Sequence, residues 1–167
     1  MLFSVGDKVV HPRYGPGAIA GIERKELMDG PKHYYIIDMA GQGLTVQVPV
    51  GKADEAGMRM AMSQSRLAQV LVILQRRPHL LPQDYRQRQE RIGAQLRTGL
   101  ASQLAMAVRD LTWHRKFAHL TKTDTDNLRK GSDLLAAEMA LVSGDAVSAT
   151  SKLIATTMIA AIASVPD

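Results

Sequence analysis

The sequence has no cysteine, few aromatic residues and no apolar run long enough to cross a bilayer. Without cysteine there is no disulfide framework and no thiolate metal site, which is typical of a protein of the reducing cytoplasm. Aromatic residues make up 4% of the chain, so aliphatic side chains and nine methionines must fill the core. The longest apolar stretch, residues 153–165, contains Thr156, Thr157 and Ser164 and is too short and polar for a membrane span. The first residues lack the basic start and apolar stretch of a signal peptide, so we expect none.

Positive charge is concentrated in the middle of the chain. Residues 1–54 carry six basic and six acidic side chains, residues 76–130 carry twelve basic against five acidic, and residues 131–167 carry one against four. A basic band of this kind is typical of a surface that faces nucleic-acid phosphates. A solvent-exposed helix face rich in arginine gives the same pattern, so charge alone leaves both interpretations open.

The composition changes between residues 50 and 62, which predicts two domains. Runs of Val, Ile and Tyr broken by Gly and Pro predict a β domain over residues 1–54, and Ala/Leu/Gln/Arg segments with helical spacing predict an all-α domain over residues 55–167. Short strands avoid exposed edges by curling into a small barrel. The predicted fold class is therefore α+β, with a small Tudor- or SH3-like β-barrel followed by about five helices.

The strands and helices are placed by turn and capping residues. We expect strands at residues 8–11, 18–23, 33–39 and 44–48, with residues 24–27 either extending the second strand or forming a separate one. Ser63 is a candidate N-cap for the first helix, which carries Leu67, Val70, Leu71 and Leu74 on one face. Later helices are expected from about residue 82 to 98, 100 to 119, 123 to 143 and 146 to 163. The core candidates of the third helix are Leu104, Ala107, Val108, Leu111 and Phe117.

No arrangement of residues indicates catalysis. The five histidines lack metal-ligand spacing, since His114 and His119 lie on different faces of a helix. Gly15-Pro16-Gly17 lacks the Lys-Ser/Thr tail and following helix of a phosphate loop. We therefore expect no catalytic residues, no metal site and no cofactor.

The junction at residues 76–91 carries the most promising binding residues. A helix start there offers unpaired N–H groups and partial positive charge, which suit a DNA phosphate. Arg86, Arg88 and Arg91 lie within two turns of it, and Tyr85 in the first turn is placed to stack on a base or wedge against a base step. The alternative is that Tyr85 packs on a neighbouring helix and the arginines are solvated. Trp113, at helical spacing within an apolar segment, is predicted to be a packing residue.

The beginning of the chain carries a dense and specific motif, made of Phe3, Val5, Gly6, Asp7, Val9, Val10, His11, Pro12, Tyr14, Gly15 and Gly17. This motif resembles the opening of the CarD/CdnL family of bacterial transcription regulators and of the polymerase-interacting module of transcription-repair coupling factors. A looser similarity continues through residues 34–37, 44–49 and 108–111, and so covers most of the chain.

For the β domain, the resemblance implies binding to the β subunit of RNA polymerase by strand-to-strand contact. Lys25 and Gln47 match positions where relatives carry basic residues that contact the polymerase. Lys25 keeps the charge, whereas Gln47 offers a neutral hydrogen bond instead.

For the helical domain, the resemblance implies contact with promoter DNA. Tyr85 matches an aromatic residue, usually Trp, that wedges into the minor groove at the upstream edge of the open bubble, and Arg86, Arg88 and Arg91 are its basic neighbours. Gln87 and Glu90 stand where relatives often have basic residues. The implied function is a non-catalytic regulator that stabilises the open complex with weak sequence specificity, located in the cytoplasm at the nucleoid and acting as a monomer or a strand-exchanged dimer. The alternative is a protein–protein adaptor without direct DNA contact.

Overall fold

The β domain is one antiparallel sheet of five strands in the order β4-β3-β2-β1-β5. The computed structural model describes residues 2–166. The strands are β1 (Lys8–His11), β2 (Gly15–Leu27), β3 (Gly30–Met39), β4 (Thr45–Pro49) and β5 (Arg59–Met60), with a short 3-10 helix at Val50–Lys52. The expected strands at residues 18–23 and 24–27 are one continuous strand, β2.

The long β2–β3 hairpin forms the centre of the sheet. Its register shifts at a bulge between Ile19 and Gly21, which bends the strand. Gly17 allows the two strands to pass closely, because a Cβ at this position would lie 2.7 Å from the carbonyl oxygen of Asp38. One face of the sheet buries the apolar core, formed by Phe3, Val9, Ile19, Tyr35, Ile37, Met39, Val48, Ala53 and Met58.

The fifth strand was not predicted from the sequence. Arg59 pairs with Val10 and Met60 with Val9, so β5 extends the sheet beyond residue 54, where the composition change placed the end of the β domain. A strand of two residues is too short to show a hydrophobic period. The sheet therefore reaches to the start of the helical domain.

Five helices follow: α1 (Gln64–Gln75), α2 (Tyr85–Arg97), α3 (Ala101–His114), α4 (Lys122–Ser143) and α5 (Val147–Ala163). The small β domain followed by about five helices is thus confirmed. Ser63 caps α1 by accepting a hydrogen bond from the Arg66 N–H, as predicted. Gly144 ends α4 in the left-handed conformation, with φ at 79°.

The helical core lies between α1, α3, α4 and α5, and a smaller cluster joins α2 to α3. The predicted core residues Val70, Leu74, Leu104, Val108 and Leu111 are all buried. The buried members of the larger cluster are Val70, Leu74, Ala101, Leu104, Ala105, Val108, Leu135, Ala136, Met139, Ile154 and Met158. The buried members of the smaller cluster are Leu81, Ile92, Ala107 and Leu111.

Two aromatic residues of α3 have different environments. Trp113 is buried, as predicted, with Phe117 packed edge-on against its ring at a centroid distance of 4.9 Å. Phe117 itself was wrongly predicted to be a core residue, because α3 ends at His114 and the following turn leaves Phe117 62% exposed.

Within residues 2–166, no single helix is long and apolar enough to cross a membrane. Helices α4 and α5 meet that criterion of length and composition only when taken together, and they are bent by 117° relative to each other.

Candidate nucleic-acid and polymerase interfaces

Tyr85 is the first residue of α2 and is 47% exposed. Asp84 caps the helix by accepting a hydrogen bond from the Gln87 N–H at 3.0 Å. The Arg86 Nε donates a hydrogen bond to the Tyr85 hydroxyl at 3.1 Å, and the guanidinium carbon of Arg86 lies 5.6 Å from the ring centroid. The phenol therefore has a polar partner, while about half of the residue stays open to solvent beside a cation.

Arg88 does not lie on the exposed surface that carries Tyr85 and Arg86. It is 3% exposed, and its Nε and Nη2 donate to Asp124 Oδ2 at 3.1 and 2.7 Å. Its Nη1 donates to the carbonyl oxygens of Pro82 and Gln83, both at 3.0 Å. The expectation that Arg88 shares a phosphate-facing surface with Arg91 is therefore corrected, because its guanidinium is used inside the domain to hold the chain just before α2.

Asp124 is the buried partner of this arginine and also belongs to the first turn of α4. Its carboxylate accepts from the Thr121 N–H at 3.1 Å, and the Thr121 hydroxyl accepts from the Asp124 N–H, which makes a capping box. Burial alone would raise the pKa of Asp124, but the hydrogen bonds from Arg88 and Thr121 outweigh it and hold the pKa below its usual value. Asp124 thus stays ionised and binds Arg88 at neutral pH.

A second buried pair, Arg109 and Asp110 of α3, holds the other end of the connection between α1 and α2. Arg109 Nε donates to Asp110 Oδ1 at 2.8 Å, and Arg109 Nη1 donates to the Ile73 carbonyl oxygen at 3.1 Å. Asp110 Oδ1 also accepts from the backbone N–H of His79 at 3.0 Å. The connecting segment, residues 76–84, is therefore fastened at both ends by buried arginine–aspartate pairs.

The fastened segment and the first two turns of α2 together present an exposed group that we call the Tyr85 corner: Leu80, Tyr85, Arg86 and Arg91. Leu80 is 80% exposed, and Arg91 lies beside it, with Nη1 3.5 Å from the Leu80 carbonyl oxygen. Since the two buried pairs are each neutral, the net charge of +7 in residues 76–130 is carried by the other side chains of that segment. The corner is thus an exposed aromatic and aliphatic pair with one arginine beside each, Arg86 at Tyr85 and Arg91 at Leu80.

The sequence reasoning missed Arg109, Asp110 and Asp124 as the supports of this corner. One signal was present: Arg109 and Asp110 lie between the apolar residues Val108 and Leu111, where charged side chains need partners if they are buried. The identity of those partners depends on the tertiary fold.

In the β domain, the structure brings Lys25 and Gln47 together across β3. The Lys25 Nζ donates a hydrogen bond to the Gln47 Oε1 and lies 5.3 Å from the centroid of the Tyr34 ring. Gln47 is exposed on β4, which is an edge strand of the sheet. An exposed edge offers unpaired backbone groups to which a partner strand can bind.

Among residues 2–166, no group of three or more His, Asp or Glu side chains could hold a metal ion. The candidate surfaces are an edge strand and an exposed basic corner. Together they define the class of this protein: a two-domain chain whose surfaces suit macromolecular partners.

Comparison with known families identifies the protein family to which the chain belongs. Residues 3–62 match the model of the CarD-like/TRCF RID domain, and residues 69–155 match that of the CarD C-terminal domain. The chain belongs to the CarD family. It is 29% identical over 145 residues to the Bacillus subtilis (strain 168) protein named "Putative transcription factor YdeB", a match that covers 86% of this chain and 94% of that protein.

Membership of this family confirms the expectation from the opening motif. The chain is a transcription regulator of the CarD type, a family of transcription factors and not a known enzyme family. Its N-terminal domain is of the RNA polymerase-interacting type, which supports RNA polymerase as its general partner.

Proposed function

We propose that the β domain holds the chain on the β subunit of RNA polymerase while the Tyr85 corner contacts promoter DNA at the upstream edge of the open bubble. The single observation that carries this proposal is the exposure of Tyr85 beside Arg86 in the first turn of α2, directly after a segment that is fastened at both ends. A half-exposed aromatic ring is costly to leave in water, and a partly unstacked base step can cover it. In this proposal the chain acts as a monomer and is found with RNA polymerase at the nucleoid.

The tether makes a weak DNA contact effective. A surface held near the promoter meets DNA at a high local concentration, so its intrinsic affinity can be low. A wedge favours DNA that is already unstacked, and it shifts the closed–open equilibrium only by its difference in affinity for the two states. Because the minor-groove pattern is degenerate, the contact should show weak sequence specificity.

Replacement of Tyr85 tests the wedge. We expect Tyr85→Ala to shorten the lifetime of the open complex several-fold, because the ring that fills the base step is lost, and to leave binding to the polymerase unchanged. Phe117→Ala is the matched control, since Phe117 is another exposed aromatic residue of the helical domain. Full stabilisation of the open complex by Tyr85→Ala would overturn the wedge.

Charge reversal at Lys25 tests the tether. We expect Lys25→Glu to weaken binding to the isolated polymerase β subunit by about five-fold or more, since one exposed charge contact contributes roughly 1 kcal/mol. Lys52→Glu is the control, because Lys52 is exposed in the same domain but lies in the 3-10 helix. Equal binding by the two variants would contradict a tether through Lys25 and Gln47.

A second candidate function is a protein–protein adaptor. The exposed apolar side chains of Phe117 and Ile159, 62% and 67% exposed, favour a protein partner for the helical domain. A salt titration of the affinity for the polymerase–promoter complex separates the two candidates. Phosphate contacts produce a steep loss of affinity with salt, whereas an adaptor without DNA contact gives a flat response.

A further inference from the structure

Glu138 is a buried carboxylate at the contact between the two domains. It lies on α4, is 1% exposed, and accepts hydrogen bonds from Arg59 through both oxygens, with Nη1–Oε1 and Nη2–Oε2 distances of 2.8 and 2.9 Å. Its Oε1 also accepts from the backbone N–H of Met62 at 2.9 Å. One carboxylate of the helical domain thus binds the side chain and the backbone of the chain that leaves the sheet.

Arg59 is held firmly on the other side of this contact. It belongs to β5 and pairs with Val10 of β1, so its backbone is part of the sheet. Its Nη2 also donates to the carbonyl oxygen of Gly99, which lies between α2 and α3. A single side chain therefore links the sheet to α4 and to the connection between α2 and α3.

The geometry of this contact fixes a direction as well as a distance. A planar guanidinium that meets a carboxylate through two parallel hydrogen bonds permits little rotation between the groups. A separate hydrogen bond, from Gln64 Nε2 to the Val142 carbonyl oxygen at 2.7 Å, joins α1 to α4 one turn further along. Helix α4 also packs across β1 and β2, where Leu134 lies against Gly15.

We infer that Arg59 and Glu138 are positioning residues that fix the orientation of the helical domain on the β domain. The importance of that orientation for transcription rests on the proposed function, because the tether and the Tyr85 corner lie on different domains. A fixed orientation sets where the corner meets the DNA once the β domain is bound, and effective concentration depends strongly on such geometry. The orientation itself can be measured without polymerase or DNA.

A merely stabilising role must be separated from a positioning role. Removing one partner of a buried ion pair leaves an unpaired charge and destabilises the fold, whereas replacing both charges with neutral groups of similar size is often tolerated. We therefore choose the double variant Arg59→Met with Glu138→Gln. The glutamine oxygen can still accept from the Met62 N–H, so the change removes the two-bond charge contact together with the Arg59–Gly99 hydrogen bond and leaves no buried charge unpaired.

The test is a distance measurement between spin labels on the two domains. The chain has no cysteine, so Lys8→Cys on β1 and Ser151→Cys on α5, both exposed, give two unique label sites. The matched control is Arg24→Met with Glu26→Gln, which removes a 2.8 Å ion pair that lies within the sheet and does not cross between domains. Thermal unfolding, binding to the polymerase β subunit and open-complex lifetime are measured on the same proteins.

We expect one narrow distance distribution for the parent and the control, and a distinctly broader one for the double variant. Its melting temperature and its binding to the β subunit should stay near the parent values, while the open-complex lifetime falls several-fold. If the double variant does not fold, Arg59→Lys replaces it, since lysine keeps the positive charge but lacks the planar pair of donors. We then expect the width of the distance distribution to lie between those of the parent and a fully released domain.

A distribution for the double variant as narrow as that of the control would overturn the inference. So would a broad distribution with an undiminished open-complex lifetime, because the orientation would then have no functional role. If the distribution broadens but even the parent does not prolong the open complex, the proposed function fails while the orientation role of the pair stands.

Discussion

Arg88 and Arg91 lie one helical turn apart on α2, yet they have opposite environments. Arg88 is enclosed by Asp124 and by the carbonyl oxygens of Pro82 and Gln83, whereas Arg91 is exposed beside Leu80. The local sequence does not distinguish the two arginines, because Asp124, the partner of Arg88, comes from a helix that follows much later in the chain. The structure therefore assigns support to one arginine and leaves the other available to a phosphate.

Substitution of each arginine by alanine should separate these roles. We expect Arg88→Ala to lower the free energy of unfolding by about 3–5 kcal/mol, because Asp124 is left buried without its partner. Arg91→Ala should change it by less than about 0.5 kcal/mol, as at an ordinary surface site, while weakening the DNA contact. Urea denaturation of the two variants measures the difference, and a small loss for Arg88→Ala would contradict the buried pair.

We expect His114 to make the stability of the helical domain depend on pH. It is buried, and burial lowers its pKa, helped by the nearby Arg88 guanidinium and opposed by Asp124. The folded chain therefore keeps His114 neutral at pH values where the unfolded chain takes up a proton. Folding stability should fall as the pH decreases below about 6.5 and continue to fall until the pKa of the folded state is reached.

Replacement of this histidine tests that dependence. His114→Gln should flatten part of the loss of stability below pH 6.5 relative to the parent. His11, whose pKa is also lowered by burial and by Arg13, contributes a loss in the same direction that remains in the variant. Denaturation curves at pH 7.5 and 5.5 give the free energy of unfolding at each pH. An equal loss of this free energy between the two pH values for His114→Gln and the parent would contradict the account.

At the scale of elements, the N-terminus of α2 is the part that matters for the Tyr85 corner. Asp84 satisfies the Gln87 N–H and so holds the first turn, in which Tyr85 and Arg86 lie. Ser63 has the same role at α1, far along the chain from the corner. Both caps thus accept a hydrogen bond from the backbone N–H of the third residue of their helix, and they differ in charge and in what they support.

Removal of the two caps should cost similar stability with different functional results. We expect Asp84→Ala and Ser63→Ala each to lower the free energy of unfolding by about 1 kcal/mol. Only Asp84→Ala should shorten the open-complex lifetime, because it loosens the turn that carries Tyr85. Asp84→Asn keeps a cap while removing the charge, and loss of activity in that variant would point to charge and not to the cap.

The elements also show how much of the fold could be predicted. Helix limits were well predicted at the caps Ser63 and Gly144, because capping depends on neighbouring residues, whereas α2 begins at Tyr85 after the Asp84 cap and not near residue 82 as expected. The end of α3 was missed, since the spacing of Trp113 and Phe117 resembles a continuing helix and no local stop signal follows His114. Strand β5 and the burial of Arg88 depend on partners far away in sequence, which no local pattern reveals.

For the whole molecule, the structure joins a polymerase-interacting type of domain to a basic helical domain through a buried charge contact. Arg59 and Glu138 lie at this junction, and residues 76–130 of the helical domain carry a net charge of +7. The β domain and the helical domain that carries the Tyr85 corner are therefore joined directly. The proposed mechanism requires a tether on the β domain, this domain contact and the corner, since the tether would bring the corner to the promoter and the domain contact would set its orientation.

The central claim is that Tyr85 meets promoter DNA at the upstream edge of the bubble, and photocrosslinking tests it most directly. With p-benzoylphenylalanine in place of Tyr85, irradiation of the polymerase–promoter open complex should crosslink the chain to DNA at that edge, and only when polymerase is present. The same amino acid in place of Phe117 is the control and should give little crosslinking to this DNA. Crosslinks from position 85 to protein alone, or to DNA regardless of polymerase, would contradict the account.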